Sequence, residues 1–296
     1  MKRGAIVVCG TVRNCGKTIV HEITQLEKAL VDFETVHYLI IESDSQDDSL
    51  IQLEQLKQQY KHFEYKSLGH LSTDIPLRTA RIAHCRNQYL ETIEQDTRYQ
   101  NADYVLISDL DGMNSLLTKE GLASCWELEH WDVCTANQVG VYYDLWAFRH
   151  PLLCPNDCWE VYHYLVDELG VNALEAKNKA IYSQMFVLPS TAPPIEVFSS
   201  FGGLGLYKKA ALLGKRYVGL TQTGQEVCEH VALHEQMRQA GARLWINPQL
   251  INGPTPAEHE QLGNRRQVLR HIVQLLFPNL LESNWYKGLK KKITQK

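Results

Sequence analysis

Apolar and polar positions follow two different periods along the first third of the chain. Residues 5–9 and 36–41 are short apolar runs rich in Ile, Val and Leu, the pattern of strands covered on both faces. Segments 20–31 and 48–60 instead repeat their apolar residues every three to four positions (Val20, Ile23, Leu26, Leu30; then Leu50, Leu53, Leu56), which predicts two amphipathic helices. A third helix is predicted over 76–94 and a strand over 104–108. This β-α-β-α order predicts a parallel, nucleotide-binding half-sheet. After residue 111 the pattern loosens. Strands are predicted at 131–136, 141–148, 196–199, 205–208 and 242–246, with helices at 158–169 and 225–240, the latter capped by Gly241. The chain reads as α/β, with a Rossmann-like first half and a mixed central sheet. One domain is expected over 1–275, followed by a basic tail over 276–296.

Composition narrows the class. The 296 residues are 44% hydrophobic and 22% charged, as in ordinary globular proteins. No apolar run is long enough to span a bilayer, and the short run after Met1–Gly4 has no cleavage site behind it, so a cytoplasmic protein is expected. A net charge of −4 gives no global field for nucleic acid, and none is expected as a partner. The sign is uneven: Lys287, Lys290, Lys291, Lys292 and Lys296 stand near the end against Glu282 alone, a tail suited to contact with the inner membrane surface. The eight cysteines include no Cys-x-x-Cys, and Cys154 and Cys158 lack a second pair with which to hold zinc.

The strand at 104–108 runs into Asp109-Leu110-Asp111-Gly112. In extended backbone, residues i and i+2 point the same way, about 6–7 Å apart. Both carboxylates therefore face one place at the C-terminal end of a core strand, where α/β sheets put ligands. Two such anions repel unless a cation lies between them, and a divalent ion that keeps positions for substrate phosphates meets that need. A solvated turn is the plain alternative. An EF-hand is excluded because Asn114 fills the loop position that requires glycine.

Other groups gather around this pair. In Gly10–Thr18 the two glycines are one residue too far apart for a P-loop, but Arg13 and Asn14 suit a base or diphosphate. Glu42 and Asp44 end the second strand, where an acid accepts hydrogen bonds from ribose or a base edge. The third helix carries Arg78, Arg81, Arg86 and Asn87, and its arginines complement a diphosphate. Gly203, in Gly-Gly-x-Gly, allows backbone to approach a ligand. Tyr142, Tyr143, Asp144 and Trp146 combine aromatic faces with a carboxylate, as a sugar acceptor site would. His230 and His234 share a helix face, but no His-Glu-x-x-His accompanies them, so a zinc hydrolase is not favoured.

Three blocks carry a family resemblance: Arg81-Ile82-Ala83-x-x-Arg86-Asn87, the Asp-x-Asp, and Cys228-Glu229-His230-Val231, whose His230 stands eleven residues before Gly241, followed by a strand ending at Pro248. Together they resemble bacterial capsule- or lipopolysaccharide-type glycosyltransferases of the GT-A fold and, more distantly, the fungal capsule mannosyltransferase group. The resemblance implies a polysaccharide-biosynthesis enzyme moving a sugar from a nucleotide-diphosphate donor to a hydroxyl of a glycan or lipid-linked acceptor, with Mn²⁺ or Mg²⁺ at Asp109 and Asp111. It places Glu229 and His230 where the family has its acid pair, as base or acceptor anchor. The family's late metal-ligating histidine falls near Asn252 or Gly253, and His259 is the substitute only if the 253–256 loop folds back. Two alternatives stay open: a nucleotidyltransferase acting on sugar phosphates, and a non-catalytic sugar-nucleotide or glycan-binding protein.

Overall fold

The computed structural model describes residues 3–257 and 259. The chain divides into two compact units, Met1–Thr255 and Pro256–Lys296. In the second, the His259 amide donates to the Pro256 carbonyl at 2.7 Å. The basic tail expected over 276–296 lies outside the described residues.

The first unit is built from strands β1 (Arg3–Val12), β2 (Phe33–Glu42), β3 (Phe63–Ser67), β4 (Ala102–Ser108), β5 (Val133–Val139), β6 (Val141–Tyr142), β7 (Phe186–Val187), β8 (Ile195–Val197), β9 (Leu204–Lys208) and β10 (Leu244–Pro254). Its helices are α1 (Ile19–Ala29), α2 (Ser49–Gln59), α3 (Arg78–Gln95), α4 (Lys119–Ala123), α5 (Cys158–His163), α6 (Ala173–Ala180), α7 (Lys209–Leu212) and α8 (Glu229–Gln239). Eight strands form one sheet in the order β3-β2-β1-β4-β9-β5-β10-β8, and β6 pairs with β7 apart from it. β3, β2, β1 and β4 are mutually parallel, while β9 runs antiparallel between β4 and β5. The sheet is therefore mixed, as the sequence pattern implies.

Strand alternation divides the core into two layers. Val7, Cys9, Leu39, Ile41, Val105 and Ile107 point to one face, where α3 and α8 bring Tyr89, Leu90, Ile93, Leu233 and Met237. Ile6, Val8, Tyr38, Ile40 and Leu106 point to the other, where α1 and α2 bring Ile19, Ile23, Leu26, Leu53 and Leu56. Strand order reverses between β1 and β4, which opens a crevice at their C-terminal ends. Gly10 of β1 lets the chain after β4 cross closely, since a Cβ there would lie 2.5 Å from Leu110 Cδ1.

Several elements differ from expectation. The strand predicted over 141–148 stops at Tyr142, because Asp144 accepts from the Gly202 and Ala147 amides and the Arg149 guanidinium holds the Trp146 and Phe148 carbonyls. The helix predicted from 225 begins at Glu229. β10 runs on past Pro248, whose missing N–H coincides with a register break against β5 between Ile246 and Ile251. Among the described residues no helix is long and apolar enough to cross a membrane.

Candidate functional site

A cleft of about 400 Å³ opens at the strand-order reversal. Its floor is the end of β1 (Thr11–Arg13) and the residues after β4 (Asp109–Asp111); one wall is α3 and the other combines 143–147, Phe201 and the start of α8. Asp109 and Asp111 both line it, at the end of a strand hydrogen-bonded on both sides. The Asp109 amide donates to the Gly203 carbonyl at 2.8 Å, and its own carbonyl accepts from Asn114 Nδ2 at 2.8 Å. Asn114, fully buried, also donates to Ser108 Oγ at 2.9 Å and to the Glu22 carboxyl beneath it on α1. Gly253 closes the same turn from behind, where a Cβ would lie 2.4 Å from the Met113 carbonyl oxygen. The aspartate-bearing turn is thus fixed from three sides.

The arginines of α3 divide by what already holds them. Arg81 Nε lies 3.5 Å from Asp44 Oδ2, and its Nη1 donates to the Ile75 carbonyl at 2.7 Å. Desolvation works against the charge on Asp44, but Ser72 and Arg81 outweigh it and hold the carboxyl below its usual range. Arg86 is only 4% exposed. Its Nη2 lies 3.2 Å from Asp109 Oδ1, its Nε 3.1 Å from Glu229 Oε1, and its Nη1 donates to the Tyr89 hydroxyl at 3.4 Å. By contrast, Arg78 and Arg13 reach the cleft with no guanidinium partner among the described residues. Sequence spacing did not separate Arg78 from its two neighbours.

The cleft is electrostatically loaded. Desolvation pushes the Asp109 carboxyl up to about 7; Arg86 opposes the shift, and Asp111, Asp144 and Glu229 add to it. This holds although 35% of the Asp109 side chain is exposed to the cleft. Desolvation also raises Asp144, against its two backbone donors. Burial, with Asp144 and Asp109 nearby, keeps the Tyr143 phenol protonated far above its ordinary range. Among the described residues, no group of three or more His, Cys, Asp or Glu is arranged to hold a metal ion. Asp109 and Asp111 supply two carboxylates, a set that fits a hard divalent cation whose shell is completed by substrate phosphates and water.

The other expected site residues divide in the same way. Tyr143, Asp144, Trp146, Glu229 and His230 line the cleft. His230 stacks on Phe201 at 3.8 Å between ring centroids, and neither ring nitrogen has a hydrogen-bond partner among the described residues. Burial, with Arg86 and His234 nearby, keeps this imidazole neutral. Tyr142 does not belong to the cleft: it is 0% exposed and stacked on Phe186, so it cannot present a face to a sugar. Asn87 is turned to the Tyr217 backbone, donating at 2.9 Å and accepting at 2.8 Å. Glu42 is buried, accepting from the Ser45 amide and Ser67 hydroxyl. Asp44 is buried beside Arg81, and Gly203 faces Asn252 and Met113 rather than open space. His259 belongs to the second unit.

Asn14 also turns out to be a loop-builder. Its amide donates to Ser45 Oγ at 3.0 Å, Cys15 N to Ser49 Oγ at 2.7 Å, and Gly16 N to Asp47 Oδ2 at 3.0 Å. The amides that a P-loop would turn toward phosphate are here satisfied by the loop after β2, which removes the NTPase reading on geometry as well as on spacing.

No protein-family profile and no curated protein matches the chain. Among solved structures it is similar to the mannosyltransferase PcManGT from Pyrobaculum calidifontis in complex with GDP-Man and Mn²⁺ (TM-score 0.47, 14% identity, 91% of this chain and 62% of that one). It is also similar to S. aureus TarS 1-349 (TM-score 0.46, 14% identity, 96% and 66%). A third is glucosyl-3-phosphoglycerate synthase from Mycobacterium tuberculosis in complex with UDP (TM-score 0.37, 13% identity, 91% and 79%). The chain thus spans less than two thirds of the first two structures. With TM-scores below 0.5, these likenesses leave the cleft's own residues as the ground for assigning a function.

Proposed function

We propose that the cleft binds a nucleotide-diphosphate sugar and transfers its sugar to a hydroxyl of a glycan or lipid-linked acceptor. The observation that carries this reading is the Asp109–Asp111 pair, fixed at the end of a central strand and sharing one cleft with two arginines that no described side chain engages and a second, acidic and aromatic wall. Asp109 and Asp111 would hold Mn²⁺ or Mg²⁺, which supplies Lewis-acid neutralisation of the departing diphosphate. Arg78 and Arg13 add charge-assisted donors to the same phosphates. On the opposite wall, Trp146 and Tyr143 offer faces to the acceptor sugar, and Asp144 accepts from its hydroxyls. As the acceptor oxygen bonds to the anomeric carbon and the bond to phosphate breaks, Glu229 accepts the hydroxyl proton in the inverting form of the reaction. Retention would leave Glu229 as an acceptor anchor. The chain is assigned to the cytoplasm, its Lys-rich end meeting an anionic membrane surface when the acceptor is lipid-linked.

The test uses GDP-mannose, UDP-N-acetylglucosamine and the free nucleoside diphosphates as probes. One of these should raise the thermal midpoint in the presence of Mn²⁺, and Asp109→Asn or Asp111→Asn should remove the Mn²⁺-dependent part. Unchanged stabilisation in both variants would defeat the assignment. Release of pyrophosphate instead of nucleoside diphosphate during turnover would establish nucleotidyl transfer. Glu229→Gln should weaken donor binding by no more than about tenfold while lowering transfer by about 10²–10⁴-fold; full transfer would acquit Glu229.

A further inference from the structure

Arg86 holds a position that a diphosphate clamp would not. It is buried between the Phe201 and Tyr217 rings, with its guanidinium carbon 5.2 and 5.6 Å from their centroids. Its Nη2 and Nε touch carboxylates from different parts of the chain: Asp109 after β4 at 3.2 Å, and Glu229 at the start of α8 at 3.1 Å. Only 4% of the residue is exposed, and its third nitrogen, Nη1, is turned to the Tyr89 hydroxyl. We propose that Arg86 is a positioning residue: a shared counter-ion that holds Asp109 and Glu229 in fixed relation and makes the charge at one felt at the other. This deepens the proposed function, because Asp109 stands on the donor side of the cleft and Glu229 on the acceptor side.

One guanidinium faces two carboxylates, with Asp111 and Asp144 also lining the cleft. Removing a buried partner leaves uncompensated charge, which costs far more than the net strength of the pair. Without Arg86, Asp109 and Glu229 would be two desolvated anions with no cation between them. Neutralising either one should then relieve the protein instead of harming it. That upward shift relative to the parent separates a shared counter-ion from a side chain that only fills space.

The experiment is a set of thermal midpoints on the full chain without ligand: the parent, Asp109→Asn, Glu229→Gln and Arg86→Met, with each neutral variant also built on Arg86→Met. Each neutralisation should raise Tm on Arg86→Met by about 5 °C or more relative to its effect on the parent. If Arg86→Met alone does not fold, both double variants must restore a cooperative transition. Recovery by only one of them, or by neither, would overturn the sharing. A second readout uses UDP with Mn²⁺. With Glu229 neutral, Arg86 acts on Asp109 alone and competes harder with the cation, so Glu229→Gln should raise the dissociation constant at least about 3-fold. An unchanged constant in a parent that binds would overturn the coupling. A parent that binds no nucleoside diphosphate would instead count against the proposed function, and the melting series would still decide the role of Arg86.

Discussion

His234 offers the most direct measurement of how this core responds to pH. It is fully buried on α8, with Nδ1 2.9 Å from Ser199 Oγ and Nε2 2.9 Å from the Tyr207 hydroxyl. Desolvation lowers it from the ordinary 6.5 to about 3. A base whose folded pKa is depressed gives its full contribution above the unfolded value, and loses it as pH falls from about 6.5 toward 3, where only the unfolded chain takes up the proton. For those two values the loss between pH 7 and pH 5 comes to about 2 kcal/mol, and to about 3 kcal/mol by pH 4. His234→Gln removes the titration while keeping a polar side chain. The assay is urea unfolding of parent and variant at pH 7 and pH 5. The variant should be less stable at pH 7, because two buried hydroxyls lose their partner. Its further loss on going to pH 5 should be about 2 kcal/mol smaller than the parent's. His230 is present in both proteins, and burial, the largest cause of its neutrality, is kept in the variant, so most of its contribution cancels in the comparison. Equal acid losses, within about 0.5 kcal/mol, would refute the claim that His234 is held neutral by burial.

Two further outcomes follow from the cleft. Arg78→Ala should weaken nucleoside diphosphate binding by about 10–100-fold and free nucleoside binding far less, whereas Arg81→Ala, which releases Asp44, should mainly lower stability; calorimetric titration with both ligands distinguishes the two. Gly253→Ala should cost about 1–3 kcal/mol in urea unfolding and weaken Mn²⁺-dependent nucleotide binding, because its Cβ must displace Met113 two residues beyond Asp111.

The parallel half of the fold was legible because its strands are buried on both faces and its helices carry clean apolar stripes. The exception is β3. Phe-Glu-Tyr-Lys-Ser has one fully buried residue, Phe63, and forms a sheet edge, so it offers almost no apolar signal. Farther along, local pattern and tertiary contacts disagree. Residues 141–148 look apolar enough for a strand, but the hydrogen bonds that Asp144 and Arg149 make with backbone fold them into turns. Pro248 looks like the end of a strand and lies instead at an irregularity inside β10, which only the partner strand reveals.

Within the site, periodicity could show which side chains share a face, and the Asp-x-Asp pair follows from that alone. It could not show which charges are already neutralised. Arg78, Arg81 and Arg86 look alike on a helix, yet Asp44 holds one and Asp109 with Glu229 holds another, through contacts as many as 143 positions apart in the chain. The same blindness hid Glu22. It stands at core spacing among Ile19, Ile23 and Leu26, an acid in an apolar stripe, and that placement was the available signal. Desolvation raises its pKa against the hydrogen bond from Asn114. A buried acid is tolerated where a partner needs it, and here the partner is the amide that fixes the Asp109 turn. An acidic residue inside a helix's apolar stripe, beside a strand ending in Asp-x-Asp, is therefore a sign readable from sequence that the turn is supported from beneath.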